Sequence, residues 1–365
     1  MSRSFPPPNN LIRRKLLSWY RRQKRALPWR GSSDPYRIWV SEVMLQQTTV
    51  AAVRKRYHRF LQRFPNLGSL ARAREDAVLA AWSGLGYYGR ARNLRRAARV
   101  ILSRHGGQFP RDCETLETLP GFGPYTAAAL ASLAFGEQVP AADANVTRVV
   151  SRLFAIGGRA ATRAHRETIL ARVHRLLPRN DPGDAIAALM DLGQTICLPR
   201  HPQCLGCPLR RECAALRRGR ADRYPARARP PRTVTVHLAA AFAGSAGRAF
   251  LVRRRASFLD GLWEFPSAEG KTARRARENL STTLRLYGLR LSSPSPAGRT
   301  RHAVVHRRIR VSIFPAVASS PAAAATSLPA PSSRWFRPSD FDRAPVPTLT
   351  RKIARAVGFL PLPGL

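Results

Sequence analysis

The sequence LPGFGPYT at residues 119–126 lies between two stretches with helical patterning. Gly121 and Gly123, one residue apart, permit a tight turn and a close approach of the backbone to a partner. Pro124 suits the first turn of the helix that follows, and the N-terminus of that helix offers free amides to a phosphate. The stretch therefore predicts either a simple interhelical turn or a phosphate-binding hairpin.

Asp143 follows twenty residues after Gly123, just before a helical pattern that begins near Asn145. An aspartate in this place can simply cap the helix. On its own it does not indicate catalysis, so its meaning depends on the rest of the chain.

Four cysteines form the pattern C-x6-C-x2-C-x5-C at Cys197, Cys204, Cys207 and Cys213. Four thiolates can hold an iron–sulfur cluster or a tetrahedral zinc ion. Zinc modules usually show two close pairs of ligands, whereas one Cys-x2-Cys flanked by single cysteines favours a compact cluster. Its place at the end of the helical region favours a structural role. Cys113 is isolated and is predicted to be a buried or inert thiol.

The composition points to a polyanionic partner. Among 365 residues, 63 Lys and Arg face 21 Asp and Glu, which gives a net charge of +42. Nucleic acid is the first candidate, although most of these residues are arginine and charge alone leaves the question open. No apolar run reaches the ~20 residues of a membrane span, and residues 1–10 lack a signal-peptide core. We expect no membrane association and a cytoplasmic protein, in which clustered cysteines bind metal.

The hydrophobic period changes along the chain. In residues 50–64, apolar residues recur at helical spacing with arginines between them, which predicts an amphipathic helix. Similar patterns occupy residues 94–102, 146–154, 169–177 and 186–196.

Residues 217–232 contain mainly Arg, Ala and Pro and are typical of a linker. Beyond them the period becomes two, which predicts strands at Val234–Leu238 and Val305–Ile313. Helices are predicted at residues 272–287 and 349–357, and a long loop at residues 316–333. The fold class is a mostly α domain followed by a smaller α+β domain.

The hairpin, Asp143 and the cysteine spacing together resemble the helix-hairpin-helix DNA glycosylases related to endonuclease III. WVSEVMLQQT at residues 39–48 resembles the segment that carries the catalytic glutamate of the adenine DNA glycosylases, which remove adenine mispaired with 8-oxoguanine. GLGYYGRARNL at residues 84–94 resembles their minor-groove loop, and GLWEFP at residues 261–266 resembles their Nudix-like second domain. The Glu-rich Nudix hydrolase signature is absent from this sequence, so we expect no diphosphate hydrolysis.

The resemblance implies a domain organisation. Residues 1–220 would form the glycosylase domain, with its helix-hairpin-helix at residues 114–135 and its [4Fe–4S] loop at residues 197–213. A linker at residues 221–232 would lead to a Nudix-like 8-oxoguanine recognition domain at residues 233–365.

Breaking a purine glycosidic bond requires an acid that protonates the base and a carboxylate that stabilises the sugar cation. Glu42, in apolar surroundings that should raise its pKa, and Asp143 are the predicted pair. The resemblance adds Tyr125 and Asn145 to the catalytic group. Tyr125 stands where bifunctional members carry a lysine that forms a Schiff base. We therefore expect base removal without strand cutting.

The resemblance also implies DNA and substrate contacts. Gln46 and Tyr87 match wedge residues and Arg30 matches a residue near the adenine pocket, although Tyr87 could instead lie in the core and Arg30 on the surface. Val304-Val305-His306 replaces a Phe-Ser-His loop that recognises 8-oxoguanine. The predicted DNA-binding and substrate-binding residues are Arg30, Gln46, Gln47, Thr48, Tyr87, Gly121, Gly123 and His306.

The combined prediction is a monofunctional adenine DNA glycosylase with a [4Fe–4S] cluster. It would act as a monomer, associated with a bacterial nucleoid, on double-stranded DNA with adenine opposite 8-oxoguanine or guanine. One alternative is a pyrimidine-damage glycosylase and lyase like endonuclease III, which would carry a hairpin lysine and lack the second domain. Another is a non-catalytic iron–sulfur DNA-binding protein, which would not need Glu42 and Asp143.

Overall fold

The computed structural model describes residues 9–160, 162–226, 232–254, 260–319 and 333–362. Contacts divide the chain into two units. The helical unit comprises Met1–Arg72 and Asn93–Arg229, and the mixed unit comprises Ala73–Arg92 and Pro230–Leu365. Across the described residues, no helix is both long and apolar enough to cross a lipid bilayer.

The described residues up to position 220 are mainly helical, as their hydrophobic period predicts. The helices are α1 (Asn9–Gln23), α2 (Pro35–Leu45), α3 (Val50–Arg63), α4 (Leu67–Arg72), α5 (Glu75–Ala81), α6 (Gly89–Arg104), α7 (Cys113–Glu117), α8 (Pro124–Phe135), α9 (Ala144–Leu153), α10 (Arg163–Leu176), α11 (Pro182–Thr195) and α12 (Ala214–Arg217), with short 3-10 turns at Cys204–Gly206 and Ala221–Arg223.

Helix α3 shows how the sequence pattern becomes packing. Thr49 caps it by accepting a hydrogen bond from the backbone N–H of Ala52. Val53, Tyr57 and Phe60 are buried on one face, while most of the basic residues between them stay exposed. The predicted amphipathic helix is thereby confirmed.

The core of the helical unit surrounds α11, which is buried along most of its length. Its glycine at Gly193 permits close packing on α9, because a Cβ there would lie 2.7 Å from the Cβ of Asn145. This contact fixes the N-terminal end of α9 against α11.

The hairpin between α7 and α8 takes the tight form that its sequence predicts. Gly121 has a φ of +79°, and a Cβ there would lie 2.4 Å from the Cβ of Asn93 on α6. A side chain is therefore excluded both by conformation and by space. Gly123 caps α8 and Pro124 opens it, which leaves the first backbone amides of α8 without side-chain caps.

The described residues of the mixed unit form two sheets. In the first sheet, β1 lies between β5 and β8, antiparallel to β5 and parallel to β8. Both β6 and β7 pair antiparallel with β8. In the second, β3 lies between β2 and β4 and also pairs with β9. The strands are β1 (Val234–Phe242), β2 (Gly244–Ser245), β3 (Arg248–Arg253), β4 (Trp263–Glu264), β5 (Ser267–Gly270), β6 (Leu289–Leu291), β7 (Gly298–Val304), β8 (Arg307–Ala318) and β9 (Ser333–Phe336).

Both faces of β1 are buried from Leu238 to Ala241. Leu238 and Ala240 lie in a core that includes Ile353, and Ala239 and Ala241 lie in a second core that includes Leu280. Two helices supply these contacts, close to where the sequence predicts them: α13 (Ala273–Arg285) and α14 (Thr348–Ala356). A 3-10 turn at Pro338–Asp342 precedes α14.

Two predictions in this region need correction. The strand predicted at Val305–Ile313 starts only at Arg307, because β7 and β8 form a hairpin that turns at Val305 and His306. Val305 has a φ of +53° and is 72% exposed. The period of two continues through both strands and hides the turn.

The predicted loop at residues 316–333 is also wrong at its ends, because β8 continues to Ala318 and β9 begins at Ser333. Ala316 is held there by packing in the core. The remainder of that loop, residues 320–332, lies outside the described residues. The predicted linker contains a 3-10 turn at Ala221–Arg223. Residues 227–231 of the linker lie outside the described residues.

The segment Ala73–Arg92 packs with the mixed unit, which the sequence did not predict. The Oγ of Ser83 donates to the carbonyl oxygen of Val346 at 2.9 Å, and Asp76 forms an ion pair with Arg253. The predicted domain boundaries follow chain order and remain predictions. The packing units differ from them in this segment.

Candidate active site

One cavity of about 960 Å³ in the helical unit brings together most of the predicted site. All four predicted catalytic residues line it: Glu42, Tyr125, Asp143 and Asn145. Four predicted substrate-binding residues line it too: Arg30, Gln46, Gln47 and Thr48. The elements that meet here are the loop before α2, the end of α2 and the starts of α8 and α9.

Glu42 lies on α2, which is buried from Ile38 to Met44. The carboxyl group is part of a side chain that is only 8% exposed. Asp34 caps the helix by accepting a hydrogen bond from the N–H of Tyr36 at 2.9 Å, and Pro35 opens it. The predicted burial of Glu42 is confirmed, because an apolar helix carries it into the protein.

Burial raises the pKa of Glu42, because a carboxylate loses solvation in such a site. The Tyr125 hydroxyl, which donates to Oε2 of Glu42 at 2.9 Å, opposes this rise, and so does the positive charge of Arg30. The nearby Asp143 adds to the rise. Burial, followed by the negative charge of Glu42, raises the pKa of Tyr125 well above its ordinary value. Tyr125 therefore stays protonated as a donor.

Asp143 is both a helix cap and a residue of the cavity. Its Oδ1 accepts from the backbone N–H of Val146 at 2.7 Å, and its Oδ2 accepts from the side-chain amide of Asn145 at 2.7 Å. Both carboxylate oxygens are thus held in place. The capping interpretation is therefore confirmed, and the cap leaves Asp143 in the cavity where its catalytic role is predicted.

Arg30 is not a surface residue. Its guanidinium lies 3.0 Å from Oδ1 of Asp191 on α11, and Arg25 lies 2.7 Å from the same oxygen. Asp191 is 1% exposed. Sequence reasoning missed Asp191, although a lone aspartate in the apolar stretch AIAALMDLG at residues 185–193 was a usable signal.

The residues after α2 approach the cavity in an unusual conformation. Gln46 donates from Nε2 to the hydroxyl of Thr126 at 3.0 Å, and the hydroxyl of Thr48 donates to the carbonyl of Gln46 at 3.2 Å. Gln47 between them is exposed, with a φ of +54°. A non-glycine residue in that region is strained, and such strain is often found at binding sites.

Four predicted DNA-binding residues do not line the cavity. Gly121 and Gly123 lie in the hairpin of the helical unit. Tyr87 and His306 belong to the mixed unit. Tyr87 is not in the core, because it is 43% exposed, and the guanidinium of Arg90 lies 5.6 Å from its ring centre. His306 is exposed in the β7–β8 turn.

The four cysteines of the C-x6-C-x2-C-x5-C pattern lie on the segment after α11 and are not joined in disulfides. Cys204, Cys207 and Cys213 each lie close enough to Cys197 for an electrostatic interaction. Burial raises the pKa of Cys207 to about 12. A bound metal centre would offset that cost and keep the sulfurs as thiolates.

Within the described ranges, no three His, Cys, Asp or Glu side chains converge on a point that suits one metal ion. A four-iron cluster takes one thiolate at each iron and spaces its ligands more widely than a single ion does. Arg152 lies beside the thiols, with Nη1 3.4 Å from the sulfur of Cys197. The donor set of four thiols with an adjacent N–H donor fits such a cluster.

Family comparisons agree with this fold. Residues 40–175 match the HhH-GPD superfamily of base excision DNA repair proteins, and residues 238–356 match the NUDIX domain. A solved thermostable thymine-DNA glycosylase superposes with a TM-score of 0.53 at 29% identity, covering 57% of this chain and 97% of that protein. The fold and the matches define a helix-hairpin-helix DNA glycosylase followed by a Nudix-like domain.

Similar proteins identify the family of this chain within the DNA glycosylases. Adenine DNA glycosylase of Mus musculus is 35% identical over 406 residues, which cover 94% of this chain and 77% of the mouse protein. The protein of the same name from Mycolicibacterium smegmatis is 44% identical over 197 residues, which cover 53% of this chain and 66% of that protein. The chain belongs to the adenine DNA glycosylase family. The predicted family and two-part fold are confirmed.

Proposed function

We propose that the protein removes adenine opposite 8-oxoguanine or guanine from double-stranded DNA and leaves the strand uncut. The observation that carries this proposal is the pairing of Glu42 with the Tyr125 hydroxyl in a cavity that also holds Asp143. One carboxyl is buried and favours its protonated form, while the other is held by two hydrogen bonds at a helix N-terminus. Different environments thus give two carboxyls different tasks.

Glu42 delivers the proton. Burial raises the pKa of Glu42, which favours the protonated carboxyl that can donate its proton to a ring nitrogen of adenine. Protonated adenine is a better leaving group, and the C1′–N bond breaks with its electron pair going to the base. The Glu42 carboxylate then accepts a proton from the water that adds at C1′.

Asp143 stabilises the positive charge that develops on the sugar. The electrostatic role requires a carboxylate at a fixed place, and the hydrogen bonds from Val146 and Asn145 fix both oxygens. Asn145 is a positioning residue in this scheme. Its packing against Gly193 holds it there.

The hairpin supports the grip on DNA. The start of α8 presents backbone amides next to Gly121 and Gly123, and such a helix N-terminus suits a phosphate. The target base must leave the stack, which costs a few kcal/mol. We propose that Tyr87 and Gln46 fill the resulting gap and that Gln47 and Thr48 line it. We further propose that Arg30 contacts the target base and that His306 contacts the opposite base.

A panel of duplexes tests the proposal. We expect adenine release from duplexes with adenine opposite 8-oxoguanine and opposite guanine, and none from adenine opposite thymine or from thymine glycol. Release of thymine glycol would instead support a pyrimidine-damage glycosylase. Binding of all four duplexes without release would support a non-catalytic DNA-binding protein.

Strand cutting gives a separate prediction. Tyr125 cannot form an imine, so borohydride should trap no covalent adduct and the product strand should stay intact until alkali is added. Lys24 lines a cavity that also contains Glu42, which makes it the amine to check. A trapped adduct that disappears in Lys24→Gln would contradict the prediction and identify that amine.

We propose that Cys197, Cys204, Cys207 and Cys213 hold a [4Fe–4S] cluster, which would stabilise the loop after α11 rather than take part in base removal. Anaerobically purified protein should be brown, with about four irons per chain. Cys207→Ser should lose most of the iron and lower the thermal midpoint, whereas Cys113→Ser should retain both. Colourless protein with stoichiometric zinc would contradict the cluster.

A further inference from the structure

Asp191 is a buried acidic side chain that the scheme above does not use. It lies on α11, and both Arg25 and Arg30 reach its Oδ1, at 2.7 and 3.0 Å. Arg25 also donates to the side-chain oxygen of Gln194 at 2.6 Å. Among the described residues, Oδ2 of Asp191 and Nε of Arg30 have no hydrogen-bond partner.

Arg30 lies within electrostatic range of two carboxyls. Its strongest favourable interaction is with Asp191, and a weaker one is with Glu42. Two acidic side chains therefore compete for one guanidinium, which stays charged at any pH the protein meets. Among the described residues, the hydrogen bond that Arg30 donates goes to Oδ1 of Asp191 and not to Glu42.

We propose that Asp191 is a positioning residue that holds the Arg30 guanidinium away from Glu42, so that Glu42 keeps the proton it delivers to the base. The inference rests on the proposed function and deepens it. Without Asp191, the other carboxyl that interacts with Arg30 is Glu42, which lines the same two cavities. An arginine turned toward Glu42 would favour the carboxylate, which cannot donate a proton.

Other charged and titratable groups face this region from every neighbouring element. Tyr20 on α1 interacts with both Arg30 and Asp191, and Asp184 on α11 interacts with Tyr20. The groups around Glu42 and its two cavities are Tyr20, Lys24, Arg25, Arg30, Tyr125, Asp143, Arg148, Asp181, Asp184 and Asp191. Of these, Asp191 is the acidic residue that forms ion pairs with Arg30 and Arg25.

The test is the pH dependence of the single-turnover rate of adenine release with excess enzyme. Base removal requires protonated Glu42, so the rate falls as the pH rises through the pKa of Glu42. In Asp191→Asn this fall should move down by roughly one pH unit, the lower end of the effect of an opposite charge. One unit above the wild-type midpoint, the variant should be about tenfold slower, and well below its own midpoint it should match wild type.

Three further variants separate the effect of charge from an effect on folding. Arg25→Gln leaves the Asp191–Arg30 pair intact, so its profile should not move down. If Asp191→Asn does not fold, Asp191→Ser removes the charge without adding an amide donor beside the arginines, and should give the same shift. In an Arg30→Gln background, replacing Asp191 should no longer move the profile.

A purely structural role for Asp191 would lower the rate by one factor at every pH and would overturn the inference, as would an unmoved profile. These outcomes differ from failure of the proposed function, in which the wild-type protein itself releases no adenine.

Discussion

Replacing Glu42 with glutamine is expected to lower the single-turnover rate of adenine release about a thousandfold, within the range for loss of a general acid. Glutamine has nearly the same shape, and its carbonyl oxygen can still accept the hydrogen bond that Tyr125 donates to Glu42. It has no proton to give to adenine. The variant should therefore fold and bind DNA as the wild type does while leaving the base in place.

Binding and stability measurements distinguish this loss from a structural defect. Glu42 is buried with a raised pKa, so replacing it with a neutral isostere should not lower the thermal midpoint. Glu167→Gln is a matched control, because that carboxylate is exposed and, in the part of the chain that the structure describes, pairs only with Arg163 on the same helix. It should keep the wild-type rate. A Glu42→Gln variant with wild-type activity would remove Glu42 from the mechanism.

The sequence predicted Glu42 and Asp143 because local patterns determine their surroundings. Glu42 lies among apolar residues of α2, so it is buried when that helix packs into the core. The first position of a helix favours aspartate as a cap, whether or not the residue is catalytic. Tyr125 was predicted as a site residue because it stands at the hairpin position where bifunctional members of the resembled family carry a lysine. Its hydrogen bond to Glu42 could not be predicted, because it depends on how α2 and α8 cross.

Features that depend on distant pairing were missed for the same reason. The partners of Asp191 are Arg25 and Arg30, which lie more than 160 positions earlier in the sequence. Its ion pairs therefore form only in the folded protein and leave no local pattern. Segment Ala73–Arg92 joins the mixed unit through the ion pair of Asp76 with Arg253, and charged residues near a helix start are ordinarily solvated. The turn at Val305 and His306 lacks the glycine, proline or asparagine that usually reveals a hairpin.

Asp143→Asn is expected to lower the rate of adenine release about a hundredfold to a thousandfold, as when a fixed electrostatic group is removed from a transition state. Asparagine is as good a helix cap as aspartate, and its Oδ1 can accept the hydrogen bond from the N–H of Val146. The substitution therefore removes the negative charge while it keeps the start of α9. Thermal unfolding should change little.

Asp143→Ala separates the two tasks of this side chain. It loses the cap as well as the charge, so it should also cost about 1 kcal/mol of stability, with a rate no higher than that of Asp143→Asn. The missing charge thus explains the loss of rate that both variants share. The missing cap explains the additional loss of stability in Asp143→Ala. If Asp143→Asn released adenine at the wild-type rate, Asp143 would be a helix cap alone, and the sugar cation would need another anion in the cavity.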